Sequence, residues 1–141
     1  MKKRVNLKEV SRVIVPYPKT TDTFLVGRRK NSGLWVILGG GIDPGETKKA
    51  AALRELYEES GRQATEITFL FEDAFGDWLT YYYLCTEISK PKRKPDKEHT
   101  RVDFIPLKKL NRKNMGQNHY DILQRVSEQL EQEKREKKKK K

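Results

Sequence analysis

The chain has 141 residues, 35% of them hydrophobic and 36% charged, which gives room for one compact domain with its own core and excludes a second. A single cysteine, Cys85, and two histidines, His99 and His119, exclude an internal disulfide and leave no set of soft ligands for a zinc centre. The net charge of +11 is unevenly placed: residues 134–141 hold seven bases and one acid, which reads as a basic, disordered, solvated tail behind a domain of residues 1–133.

A lone thiol fits a reducing compartment. No apolar run approaches the roughly 18 residues of a membrane span, and the polar, basic start at residues 1–6 leads into no signal core. These features predict a soluble, cytoplasmic protein with no membrane partner.

Residues 11–17 and 23–27 are β-rich runs joined by a short polar connection, and they read as paired strands. Residues 35–38 form a short apolar strand, opened by a core Trp35, that runs into Gly39, Gly40 and Gly41. Pro44 and Gly45 add turn chemistry. A helix follows over 47–60, with Thr47 as cap, Ala50, Ala51, Ala52 and Leu53 in its interior, and Gly61 where a left-handed terminating residue belongs. Strands are expected at 65–71, 78–86 and 102–106, the last two separated by a basic loop around residues 90–97. A final helix over 119–133 carries Ile122, Leu123, Val126 and Leu130 at helical spacing. Strands then helix, twice over, predicts an α/β fold with helices covering a mixed sheet.

The chemistry concentrates between Gly39 and Gly61. At about 100° per residue, with Leu53 at zero, Glu55, Glu58 and Glu59 fall near 200°, 140° and 240°, opposite a face of Leu53, Leu56 and Tyr57. Like charges three and four residues apart cost a few tenths of a kcal/mol per pair. They also sit at the helix end where the macrodipole disfavours negative charge. A bare Glu-x-x-Glu-Glu is most often a solvated acidic face. A divalent cation would instead make the cluster favourable, and oxygen donors suit Mg²⁺ first and Mn²⁺ next. Gly40 and Gly45 mimic the spacing of a phosphate-binding P-loop, but Glu46 stands where its lysine belongs, so a P-loop NTPase is rejected.

These residues resemble the Nudix hydrolase family. Gly40, Glu46, Arg54, Glu55, Leu56, Glu58, Glu59 and Gly61 fill its box at the required spacings, and Arg62 in place of an aliphatic residue is the one departure within 40–62. The resemblance implies an α/β/α sandwich on a mixed sheet. It also implies metal-dependent cleavage of a pyrophosphate bond in a nucleoside diphosphate linked to another group, such as a nucleoside triphosphate or dinucleoside polyphosphate.

By the same resemblance, Glu55, Glu58 and Glu59 are metal ligands with the backbone of Gly39, and Glu46 anchors the cluster or binds metal through water. Glu55 is the favoured general base, with Glu98 or Glu72 as alternatives outside the box. Arg54 orients the carboxylates. Arg28 and Arg29, with Gly40 and Gly41, are candidates for substrate phosphate, and one of Tyr81, Tyr82 and Tyr83 for stacking on a base. Cys85 reads as buried and inert, and neither histidine shows a catalytic neighbour in sequence. Diphosphoinositol polyphosphates and RNA 5′ ends are alternative substrates that the basic loop and tail would favour. A catalytically silent, Nudix-shaped RNA-binding module is the alternative of a different class. The family leaves monomer or homodimer open.

Overall fold

The computed structural model describes residues 7–94 and 96–139. The predicted N-terminal stretch 1–6, Pro95 of the basic loop and residues 140 and 141 of the predicted tail lie outside the described residues. The elements are β1 (Lys8–Ile14), β2 (Thr23–Arg29), β3 (Trp35–Gly41), α1 (Lys48–Ser60), β4 (Thr68–Phe75), β5 (Trp78–Leu84), β6 (His99–Pro106) and α2 (His119–Lys139), with a 3₁₀ turn at Leu107–Lys109. Among these residues no helix is long and apolar enough to cross a membrane.

The strands make one mixed sheet in the order β4-β5-β1-β3-β2-β6. β1 and β5 run parallel, and the other pairings are antiparallel. Successive side chains on a strand point to opposite faces, and the apolar residues divide accordingly. Val13, Val15, Leu25, Leu38, Tyr81 and Tyr83 join Ala52 and Leu56 of α1 in one core. Ile14, Phe24, Val26, Ile37 and Tyr82 join Ile122, Leu123 and Val126 of α2 in the other. The central strands are buried on both faces, which is why they read as near-continuous apolar runs. The three-layer arrangement expected from the sequence is the one observed.

Two expectations change. β1 and β2 meet only near the turn that joins them, where the Leu25 N–H donates to the Val15 carbonyl and the Tyr17 N–H to that of Thr23. Beyond that point β3 lies between them, pairing through Trp35, Val36 and Ile37 with β2 and through residues 38–41 with β1. The glycine triplet is therefore strand, not loop. α2 also continues to Lys139, six residues past the predicted end, so the first part of the lysine run is helical.

α1 begins and ends where its sequence dictates. Thr47 accepts from the Ala50 N–H at 3.0 Å. Gly61 takes φ 73° and donates to the Tyr57 carbonyl, a left-handed cap that glycine adopts without strain. The buried side of the helix is Ala51, Ala52, Leu56, Glu59 and Ser60, whereas Leu53 and Tyr57 are only half-buried. Glu55 and Glu59 of the acidic stripe consequently lie against the glycine-rich end of β3, a central strand, instead of facing away from the core.

Candidate functional site

Arg54, half-way along α1, organises the acidic residues. Its Nε and Nη2 hold Glu46 at 2.8 and 3.0 Å, Nη2 also donates to the Gly41 carbonyl at 2.9 Å, and Nη1 reaches Glu55 at 2.9 Å and Glu58 at 3.3 Å. A guanidinium has five N–H donors in a fixed fork, and all five are engaged. Arg54 therefore has none left for a substrate. The grip holds the Glu46 carboxyl down to about 2, with the Asp43 N–H assisting. Both Glu46 oxygens are thereby occupied by protein donors, which makes it the anchor of the turn before α1.

Glu55 and Glu59 turn inward. A Cβ on residue 40 would come 2.7 Å from the Glu55 carboxyl, so this carboxylate packs directly on glycine backbone. Burial raises the Glu55 pKa, opposed by Arg54. Glu59, with a side chain 5% exposed, accepts from the Gly39 N–H at 2.6 Å. Burial pushes its carboxyl well above the usual range, and the neighbouring Glu55 charge adds to that. Glu58 is the open member, 45% exposed.

These carboxylates border a cleft of about 300 Å³ whose other walls include Gly39, Gly40, Gly41, Arg12, Arg29, Trp78, Asp96 and Glu98. Residues from β1, β3, α1, β5 and the approach to β6 thus meet at the glycine-rich end of β3.

Residues 7–126 match the NUDIX domain family, most of the chain and the whole of this cleft. The chain belongs to the Nudix family. Among curated relatives it is 40% identical over 65 residues to an RNA pyrophosphohydrolase of a Nitratiruptor species, 46% of this chain and 39% of that one. It is 41% identical over 58 residues to Nudix hydrolase 25 of Arabidopsis thaliana, 41% of this chain and 31% of that one. The match thus spans two fifths or less of the length of these relatives. Solved Nudix structures share the fold at low identity. A MutT NUDIX hydrolase from Burkholderia pseudomallei superposes with TM-score 0.73 at 22% identity, covering 84% of this chain and 97% of that one. The NUDIX domain of Shewanella oneidensis NrtR, solved with ADP ribose, gives 0.72 at 21%, covering 88% of each.

Within this Nudix cleft the residues singled out from sequence separate. Glu55, Glu58, Glu59, Gly39, Gly40, Gly41, Arg29 and Glu98 converge on it. Arg28 does not: neighbours on a strand face opposite ways, and its Nε donates to the Gly33 carbonyl at 3.1 Å in the turn after β2. Glu72 sits on β4 opposite Tyr81 and is not among the cleft residues. Tyr81, Tyr82 and Tyr83 are all buried, so none offers a free ring for stacking. Cys85 is buried, and burial raises its thiol pKa.

Three cleft residues, Arg12, Trp78 and Asp96, and the buried His99 behind them carried no sequence signal. Arg12 is buried at the cleft floor, where its Nη1 donates to the Ile37 carbonyl at 2.6 Å. Burial lowers its pKa, while Tyr82 and Glu59 act to raise it. Trp78 opens β5. Asp96 and His99 come from the basic loop and the start of β6, and His99 reaches both Asp96 and Glu59. Long-range pairing brings them in, and no local pattern encodes it.

Proposed function

We propose that this Nudix protein hydrolyses a pyrophosphate bond at the 5′ end of RNA, using a divalent cation held by Glu55, Glu58 and Glu59. The observation that carries the reading is the convergence of Glu55, Glu58 and Glu59 on one cleft, the first two held by an Arg54 that has no donor to spare and the third by the Gly39 N–H. The donor set fits the group: hard carboxylate oxygens, one exposed, one half-buried and one buried, the last two beside glycine backbone, suit Mg²⁺ or Mn²⁺. The Gly39 carbonyl is the further oxygen expected beside them. When bound, the cation supplies neutralisation of phosphoryl charge and acidifies water.

The chain's own groups supply the rest. Glu55 takes the proton from the attacking water, its carboxyl made more basic by burial. Glu98, across the cleft, is the alternative base. Arg29 offers its guanidinium to the phosphates. The water oxygen bonds to one phosphorus as the bridging P–O bond breaks, and two phosphate-bearing products leave.

RNA is preferred over free nucleoside triphosphates, dinucleoside polyphosphates and diphosphoinositol polyphosphates for two reasons. Relatives named RNA pyrophosphohydrolase share the matched segment, and the surplus of +11 favours a long polyanion. A silent RNA-binding module is the poorer reading, because one Arg54 only partly offsets the repulsion among these glutamates, and a bound cation is what rewards keeping them all on one cleft.

The test is phosphate or pyrophosphate release from 5′-triphosphorylated RNA and from the three competing substrate classes, with Mg²⁺ or Mn²⁺ and with chelator. RNA is expected to turn over fastest and chelator to abolish release. Turnover of a small phosphate compound alone would overturn the substrate. Tight RNA binding with no release from any compound would overturn catalysis.

A further inference from the structure

One buried group beside the cleft is left unexplained by the carboxylates of α1. The His99 side chain has 0% exposure, and its Nε2 finds no hydrogen-bond partner among the described residues. The ring cannot swing away: a Cβ on residue 27 would come 2.7 Å from its Cδ2, so it lies directly on the backbone of β2. Its other nitrogen, Nδ1, is 3.0 Å from Asp96 Oδ1, which also accepts the Glu98 N–H at 3.2 Å. In a neutral ring that contact puts the proton on Nδ1 and leaves Nε2 as a bare lone pair.

The lone pair faces Glu59 Oε2 at 3.6 Å, beyond hydrogen-bond distance. Two buried acceptors facing each other repel unless a proton or a metal cation lies between them, and this separation is too long for a shared proton. The separation is close to the span of about 3.4 Å between two ligands at ~2.0–2.1 Å from a tetrahedral ion. A carboxylate fixing the far nitrogen of a histidine is the arrangement that orients imidazole towards a metal. The ligand-type atoms of Glu59, Asp96 and His99 all lie within 4.8 Å of one another.

We propose that His99 Nε2 and Glu59 Oε2 form a second cation position, oriented by Asp96, that takes a nitrogen-accepting divalent ion of the Zn²⁺ or Co²⁺ kind. It shares Glu59 with the oxygen-only position of Glu55, Glu58 and Glu59, and it rests on the reading of this cleft as a metal site. The sequence alone predicts no zinc centre because a lone histidine meets its carboxylate partners only in the fold. Imidazole selects late first-row ions over Mg²⁺, so the two positions differ in the ion they hold.

The experiment titrates the full chain with Co²⁺ and follows its visible d–d absorption, which reports nitrogen ligation, with Zn²⁺ and Mg²⁺ as competitors. One equivalent of Co²⁺ is expected to bind, to be displaced by Zn²⁺ and to resist excess Mg²⁺. His99→Asn should remove the absorption, and Asp96→Asn, on a half-buried loop residue, should weaken Co²⁺ about 10–100-fold without moving the melting temperature. The Asp96 variant decides the matter if the His99 variant does not fold. Glu58→Gln should leave the Co²⁺ spectrum intact while impairing Mg²⁺-dependent turnover. A spectrum lacking nitrogen ligation, or Co²⁺ affinity unchanged in Asp96→Asn, overturns the second position alone. Absence of Mg²⁺-dependent turnover in the unaltered protein with the Co²⁺ spectrum present overturns the proposed reaction alone.

Discussion

Arg54 touches Glu46, Glu55 and Glu58 together, so each glutamate is held in a field set by the others. Glu58 is the one with the longest contact and the most solvent, and its charge is the easiest to remove without disturbing packing. Glu58→Gln is expected to lower turnover at least about 100-fold, about 2.7 kcal/mol or more of transition-state stabilisation, while the melting temperature holds or rises as repulsion falls. Steady-state kinetics beside a thermal melt measure both, and unchanged turnover would remove Glu58 from the ligand set. A second buried histidine gives a pH signature. His119 Nδ1 accepts the Ile37 N–H at 3.1 Å, so the ring must stay neutral. Burial, with Arg12 and Arg29 adding to it, holds its pKa well below the ordinary 6.5. The native state therefore binds fewer protons than the unfolded chain below pH 6.5, and stability falls as pH drops through that value. His119→Asn, whose amide oxygen can accept the same N–H, should flatten urea-unfolding stability below pH 6.5 by up to about 1.4 kcal/mol per pH unit relative to the parent. A parallel pH profile in the variant would show that His119 is not the responsible group.

At the level of elements, legibility tracked locality. α1 could be read to the residue because cap, alanine-rich interior and terminating glycine lie within one short stretch. Strand limits were harder, since pairing decides them. β4 runs on to Phe75 and turns back at Gly76 and Asp77, with Phe75 opposite Trp78. The Gly-Asp pair between aromatic residues was the available signal for that two-residue turn. The insertion of β3 between β1 and β2 had no local signal at all. The Glu cluster was legible because a helix carries it on one element, whereas Arg12 comes from β1, Trp78 from β5, Asp96 from the loop before β6 and the adjoining His99 from β6 itself. α2 shows the limit of compositional reading: lysine is a good helix former, and the helix carries straight into the basic run. Its packing stops earlier, near Leu130 and the contact between Thr21 and Glu131. Removing residues 134–141 should therefore change unfolding stability by no more than about 0.5 kcal/mol and weaken RNA binding. A large loss of stability would place the run in the fold rather than in capture.

For the molecule as a whole, the excess of +11 predicts that affinity for single-stranded RNA falls with salt, with a log–log slope of about −0.7 for each phosphate neutralised. Fluorescence anisotropy across ionic strengths measures the slope in the full chain and in the shortened one. The slope should become shallower when residues 134–141 are removed, and identical slopes would assign capture to the body of the domain. The placement of β1 has a different consequence. It pairs with β3 some thirty residues away and in parallel with β5 some seventy away, and Asp96 and Glu98, just before β6, complete the cleft wall. On a ribosome the signature segment emerges long before the wall it needs. A nascent chain can display every residue of that segment and still hold no pocket, so competence arrives late in synthesis, as a property of the closed sheet.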